Sequence, residues 1–120
     1  MTDLTAQSCV SFSPSSEEEP KSPSNNELAE YLQQLVGWHV VPGTDANRAL
    51  QKLEKTFSFD NYQQSMDFTN RVAELAEAED HHPALLTEWG RVTVTWWTHA
   101  IGGLHLNDFI CAAKTDLLNQ

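Results

Sequence analysis

Three of the four histidines in the C-terminal half of the sequence stand near carboxylates in a pattern that could transfer protons. The histidines are His81, His82 and His99, and the neighbouring carboxylates are Asp80 and Asp108. Because imidazole titrates near neutral pH, a group of histidines can both donate and accept protons at physiological pH. The spacing therefore predicts a general acid–base site between residues 77 and 108.

A metal site is the main alternative for the same side chains. Three histidines together with Asp80 could bind zinc. However, the spacing lacks the His-x-x-x-His pattern that puts two imidazoles on one helix face, and adjacent histidines on an extended chain point in different directions. We therefore expect no metal at this site.

Glu77 and Asp108 can support the histidines, although each also has a plainer interpretation. Glu77 precedes His81 by one helical turn, so it can reach His81 and fix its tautomer if the helix persists. It could equally be one of several solvated acids on that helix. Asp108 falls in the first turn of a predicted helix, where the helix dipole favours a carboxylate in any case. Tryptophan is more often a core residue than part of a binding site, so Trp38 too has a plainer interpretation.

The elements that position these residues follow from apolar periodicity, capping residues and turns. We predict a helix from Ser24 or Asn25 to Gly37, a strand over 38–41, a helix from Asp60 or Asn61 that ends by His82, a hairpin over 85–98 and a helix over 106–118. The periodicity of residues 47–57 fits a strand or a helix, and the preceding turn and the end of the segment favour the strand of a hairpin. This order indicates an α+β domain with helices packed on one face of an antiparallel sheet.

The apolar stripes of the three helices also predict which side chains enter the core. Val36 belongs to the stripe of the first helix, Tyr62 to that of the second and Leu117 to that of the last. A helix that lies on a sheet buries such a stripe. All three residues are therefore expected to face the sheet.

The first 24 residues differ in composition from the rest. They are rich in serine and proline, include the run Glu17-Glu18-Glu19 and have few large apolar side chains. Such a segment cannot offset its ordering entropy by burial, which predicts a disordered acidic tail over 1–24 and a folded domain over 25–120. The segment resembles neither a secretory signal nor a mitochondrial transit peptide.

Charge and cysteine content narrow the function classes further. The net charge is −10 and the seven basic residues are scattered, which argues against direct nucleic-acid binding. No apolar stretch approaches the roughly 20 residues of a membrane span. Cys9 and Cys111 form no disulfide framework. We expect a cytoplasmic protein.

Two motifs resemble those of the pterin-4a-carbinolamine dehydratase family. They read Glu77-x-x-Asp80-His81-His82-Pro83 and Thr98-His99-x-x-Gly102-Gly103-Leu104-x-x-x-Asp108. The likeness extends over about residues 27–118. It implies a four-stranded antiparallel sheet with helices on one face in the order αββαββα, a strand for residues 47–57, and assembly as a homodimer or homotetramer.

The resemblance also implies an activity. Members of the family dehydrate 4a-hydroxytetrahydropterin to quinonoid dihydropterin, which recycles tetrahydrobiopterin, and they use no metal or organic cofactor. By resemblance, His81, His82 and His99 form the catalytic set. Glu77 would support His81 as the principal acid–base group, and Asp80 would be the second supporting carboxylate.

By the same resemblance, Trp38, Thr98 and Asp108 line or support the pterin pocket. One position departs from the family, which usually has Thr or Ser as the cap of the last helix. His105 stands there instead, and this departure bears on the cap and on the placement of Asp108.

Two other functions are compatible with the resemblance. Some members of the family double as dimerisation cofactors of a transcription factor, so a protein-binding role is one alternative. An enzyme acting on another pterin, for example in molybdopterin metabolism, is the other. The histidine set favours catalysis, because a scaffold would not need it.

Overall fold

Four antiparallel strands form a sheet whose one face is covered by three helices. The computed structural model describes residues 4–7, 25–42, 51–98 and 104–119, and the statements below concern these ranges. The elements are α1 Asn25–Gln33, β1 His39–Pro42, β2 Gln51–Ser58, α2 Tyr62–Glu79, β3 Ala84–Glu88, β4 Arg91–Trp96 and α3 Leu106–Leu118. The strand order is β1-β2-β4-β3.

This architecture confirms the predicted α+β class and the order αββαββα. The ambiguous segment is a strand from Gln51 to Ser58, and residues 43–50 lie outside the described ranges. The last helix has the predicted bounds, Leu106–Leu118. None of the helices in the described ranges is long and apolar enough to cross a membrane.

Alternation along the two central strands builds the core side of the sheet. Leu53 and Phe57 of β2 are buried, and in the register they lie opposite Trp96 and Val92 of β4, which are buried as well. Side chains on a strand alternate between the two faces, so these four share the face that the helices cover. The residues that alternate with these core positions along both strands are polar and lie on the opposite face.

Helix α2 begins and ends at residues that the sequence singles out. The Oδ1 atom of Asn61 accepts a hydrogen bond from the Gln64 backbone N–H at 2.8 Å, which makes Asn61 the N-cap. Phe68, Val72 and Ala76 recur every fourth residue and are all buried. The helix is therefore anchored on its sheet-facing side, directly before the two adjacent histidines.

The prediction that Val36, Tyr62 and Leu117 face the sheet is wrong. Val36 is 82% exposed because α1 ends at Gln33 and the chain turns before Gly37, whose φ of 87° is favourable only for glycine. Tyr62 and Leu117 are each 50% exposed. Both lie in a terminal turn of their helix, where the apolar stripe no longer faces the sheet.

The start of the chain packs on the domain. Residues Leu4–Ala6 form one turn of 3₁₀ helix against α3, and the Leu4 side chain is fully buried. The Leu4 backbone N–H donates to Oε1 of Gln34 at 3.3 Å. Residues 8–24 lie outside the described ranges, and the tail with its boundary at residue 24 stays a prediction.

Candidate active site

The end of α2 sets the position of the adjacent histidines. Asp80 adopts the left-handed conformation, with φ 51° and ψ 43°, and the His81 backbone N–H donates to the Ala76 carbonyl at 3.1 Å. This is the hydrogen-bond pattern of a Schellman motif, which ends a helix and turns the chain sharply. Pro83 then prevents the helix from resuming. The backbone at His81 and His82 is thereby fixed between α2 and β3.

His81 is held by a buried carboxylate from α3. Its Nε2 atom lies 2.6 Å from Oδ1 of Asp108, whose side chain is fully buried. The other carboxylate oxygen of Asp108 accepts from the Thr98 hydroxyl at 2.8 Å. An ionised carboxylate only accepts hydrogen bonds, so Nε2 of His81 carries the proton. Nδ1 of His81 is thus the ring nitrogen that can exchange a proton with a ligand.

His105 caps α3 directly beside this pair. The Nδ1 atom of His105 accepts from the Asn107 backbone N–H at 3.1 Å, and the His105 backbone N–H donates to Oδ2 of Asp108 at 2.9 Å. A capping box is therefore present, although its N-cap is a histidine and not one of the residue types that usually cap helices. Burial lowers the pKa of His105 from its ordinary 6.5; Asp108 opposes this shift and His81 adds to it.

Trp96 forms the wall behind His81. The two rings are stacked, with centroids 5.5 Å apart and an interplanar angle of 14°. The indole N–H of Trp96 donates to the Thr115 hydroxyl at 3.2 Å, so the wall is itself fixed to α3. Sequence reasoning placed Trp96 only in a strand and missed this role. Its one signal was the alternation that turns Trp96 toward the helices.

Glu77 binds the second histidine, so the expectation that it supports His81 is wrong. The Nε2 atom of His82 lies 2.8 Å from Oε1 of Glu77, and both side chains are exposed. Glu77 and His81 lie one helical turn apart only if the chain stays helical as far as residue 81, and α2 ends at Glu79. Because Asp80 adopts the left-handed conformation, the His81 side chain lies against α3 and the His82 side chain lies beside Glu77.

Two other predicted site residues, Asp80 and Trp38, are less closely tied to this cluster. Asp80 is exposed and shapes the backbone as described. Trp38 is buried and donates its indole N–H to both oxygens of Asp116 at 3.1 Å. Asp116 lies eight residues beyond Asp108, about 12 Å along α3. His99 lies outside the described residues, and the roles of all three stay predictions.

The described part of the site combines two kinds of histidine. His81 is nearly buried, has a fixed tautomer and leaves one nitrogen for a ligand, whereas His82 is exposed beside a carboxylate. Such a pair can deliver a proton to one atom of a small ligand and take one from another. Among the described residues, no three His, Cys, Asp or Glu side chains converge as metal ligands would.

Comparison with known proteins identifies the family. The family model described as Pterin 4 alpha carbinolamine dehydratase matches residues 21–118. The chain belongs to this family. A relative from Chlorobaculum tepidum, named "Putative pterin-4-alpha-carbinolamine dehydratase", is 55% identical over 95 residues, which cover 79% of this chain and 82% of the relative. A relative of the same name from Vibrio vulnificus is 55% identical over 87 residues, covering 72% and 76%.

Solved structures of related proteins share the fold. The crystal structure of a transcriptional coactivator/pterin dehydratase from Brucella melitensis matches with a TM-score of 0.72 at 28% identity, covering 83% of this chain and all of that one. A pterin dehydratase-like protein described as a RuBisCO assembly factor in the alpha-carboxysome matches with a TM-score of 0.55 at 24% identity, covering 71% and 92%. At that identity the second match bears on the fold alone.

Proposed function

We propose that this protein dehydrates 4a-hydroxytetrahydropterin to quinonoid dihydropterin and water, as a step in the recycling of tetrahydrobiopterin. The general assignment to pterin dehydration is supported by membership of the family and by the names of its relatives. The observation that carries the mechanism is the hydrogen bond between Nε2 of His81 and the buried Asp108. It leaves the opposite nitrogen of a sterically fixed imidazole available for proton transfer.

The reaction needs a proton donor and a proton acceptor on one small ligand. The bond between C4a and the hydroxyl oxygen breaks, its electron pair stays with the oxygen, and a proton must arrive there to release water. The neighbouring ring nitrogen loses a proton as its double bond to C4a forms. One imidazolium and one neutral imidazole supply both transfers, and each is worth roughly 10²–10⁴-fold in rate.

The histidines divide these tasks in our proposal. His81 is the principal acid–base group, held by Asp108 and not by Glu77. His82, oriented by Glu77, and His99 bind the pterin and share the proton transfers.

The remaining predicted residues take binding or supporting roles. Asp80 would contact the pterin and Trp38 would support the pocket from the core, whereas Thr98 and Asp108 support the pterin indirectly through His81. We further propose that the protein is a homodimer or homotetramer, because a folded unit of this size gains stability by burying surface in an interface. A cytoplasmic location is also part of the proposal.

Stopped-flow absorbance of 4a-hydroxytetrahydropterin breakdown tests this function. We expect strong acceleration by the wild-type protein and a loss of about 10²-fold or more in His81→Ala. His39→Ala is the matched control, because His39 is an exposed histidine on β1 and should leave the rate unchanged. Repeating the assay with pterins that differ in the side chain would identify the preferred substrate.

The possible outcomes separate the candidate functions. Acceleration that His81→Ala retains would keep the enzyme but move the principal role to His82 or His99. No acceleration by folded wild-type protein would contradict the proposal. In that case the protein-binding alternative becomes the better one. The Brucella melitensis protein, described as both a transcriptional coactivator and a pterin dehydratase, supplies a precedent.

A further inference from the structure

Asp108 lies between two histidines and makes a hydrogen bond toward each. Its Oδ1 atom binds the ring of His81 at 2.6 Å, and its Oδ2 atom accepts from the backbone N–H of His105 at 2.9 Å. The ring of His105 in turn accepts the Asn107 backbone N–H through Nδ1 at 3.1 Å. The first turn of α3 therefore joins the two imidazoles through one buried carboxylate.

We propose that His105 is a positioning residue for the reaction: its neutral ring caps α3 and holds Asp108 in place for His81, and protonation of that ring releases this hold. The proposal rests on the proposed dehydratase function. It adds a histidine, His105, whose protonation state acts on the site through the hydrogen bonds of the first turn of α3.

The cap depends on the protonation state because of the hydrogen-bond chemistry of imidazole. A neutral ring with its proton on Nε2 has a lone pair on Nδ1 and can accept from Asn107. A protonated ring has N–H donors at both nitrogens and cannot accept. Protonation therefore leaves the Asn107 N–H without its cap, at the turn of α3 that also carries Asp108.

Charge acts in the same direction on the catalytic histidine. A protonated His105 would place a second positive charge beside the Asp108 carboxylate, which already binds His81. Two cations near one anion oppose each other. Protonation of His105 thus weakens the stabilisation that Asp108 gives to a protonated His81, in addition to loosening its geometry.

The surroundings of His105 keep the ring neutral near neutral pH. Burial is the largest influence and lowers its pKa, His81 after α2 lowers it further, and Asp108 on α3 raises it. The folded-state pKa is therefore below the unfolded value of 6.5. With that sign, the cap stabilises the protein fully above the unfolded pKa, and its contribution is lost as the pH falls through the folded-state pKa.

Two substitutions of His105 separate the loss of the helix cap from the loss of the titrating ring. In His105→Ser the hydroxyl can accept from the first turn of α3, and the backbone N–H that binds Asp108 is retained, but nothing titrates. In His105→Ala the cap is lost at every pH. His39→Ser is the control, since it removes an exposed histidine from β1.

The first readout is kcat/KM between pH 5 and 8. We expect His105→Ser to match the wild type above pH 7 and to exceed it by about fivefold near pH 5, whereas His105→Ala should be lower throughout. His39→Ser should follow the wild-type profile. Superimposable profiles for the wild type and His105→Ser would overturn the proposal.

The second readout does not depend on turnover. Nitrogen-15 NMR of the imidazole rings should show His105 as the Nε2–H tautomer at pH 7, and the His81 signals should respond to the titration of His105 in the wild type only. A proton on Nδ1 of neutral His105, or identical His81 signals in His105→Ser, would overturn the proposal. If the wild type fails to accelerate pterin dehydration while these NMR results hold, the dehydratase assignment fails and the coupling stands.

Discussion

Asp108 binds His81 across 27 residues of sequence, through a contact of 2.6 Å between a fully buried carboxylate oxygen and Nε2 of the ring. The contact joins the first turn of α3 to the end of α2. It fixes which nitrogen of His81 carries a proton and which can accept one. The chemistry of the site is therefore set by the packing of two helices and not by a local sequence motif.

Replacing this carboxylate with an amide should disable His81. In Asp108→Asn only the amide oxygen can accept, and the N–H₂ group that replaces the other oxygen donates. His81 and Thr98 can then no longer both donate to this side chain, and the tautomer of His81 is no longer fixed. We expect kcat to fall by about 10²–10⁴-fold. The burial of this position adds a loss of about 1–3 kcal/mol in the free energy of unfolding. Stopped-flow kinetics and thermal melting measure the two effects.

Asp67→Asn is the matched control for that variant. Asp67 is an exposed acid on α2 that accepts a hydrogen bond from Gln63, and it has no role in the proposed reaction. We expect it to leave both kcat and the melting temperature nearly unchanged. If folded Asp108→Asn retained full kcat, the orientation of His81 by Asp108 would have no catalytic importance.

The fold was largely predictable because its signals are local. Asn61 caps α2 as expected, alternation along β4 identified a strand, and α3 has its predicted bounds. These features depend on side-chain periodicity and capping within a few residues. The fold class then follows from the order of the elements and the family resemblance.

The partners within the site were less predictable because they depend on one backbone dihedral. Helical spacing favoured a pair between Glu77 and His81, but the left-handed Asp80 moves His81 to Asp108 and His82 to Glu77. Aspartate visits that conformation only occasionally, so its type alone does not reveal the turn. The stacking of His81 on Trp96 arises from the same packing.

Removing the charge of Glu77 should have a small effect. Glu77 and His82 are exposed at 79% and 54% of their side chains, and exposed ion pairs contribute little. We expect Glu77→Gln to lower kcat/KM by less than about tenfold, well short of the Asp108→Asn effect. Parallel stopped-flow assays of the two variants test this ranking.

The reverse ranking would be informative. A Glu77→Gln loss as large as that of Asp108→Asn would mean that Glu77 acts on the principal acid–base group. Glu74→Gln, an exposed acid one turn earlier on α2, is the control for a general loss of negative charge. It should not change the rate.

The N-terminal turn should stabilise the domain through one side chain. Leu4 is fully buried, and truncating a buried leucine to alanine usually costs about 2–5 kcal/mol. Here the cost is limited by the free energy of docking the turn Leu4–Ala6 on α3. We therefore expect Leu4→Ala and deletion of residues 1–7 to lower the melting temperature equally. Ala6→Ser, at an exposed position of the same turn, should have no effect; a much larger loss on deletion would contradict this limit.

Asp80 offers a test that separates backbone conformation from substrate binding. Its φ of 51° is unfavourable for a residue with a Cβ atom, and glycine adopts it without that cost. We expect Asp80→Gly to raise the free energy of unfolding by about 0.5–1 kcal/mol and Asp80→Ala to lower it. Both variants lack the carboxylate, so thermal melting reports the backbone effect while KM reports any contact with the pterin. A raised KM in both variants supports a binding role for the carboxylate, because the two differ in stability but not in this loss. A raised KM in Asp80→Ala alone would instead mean that Asp80 acts only by directing His81 toward Asp108.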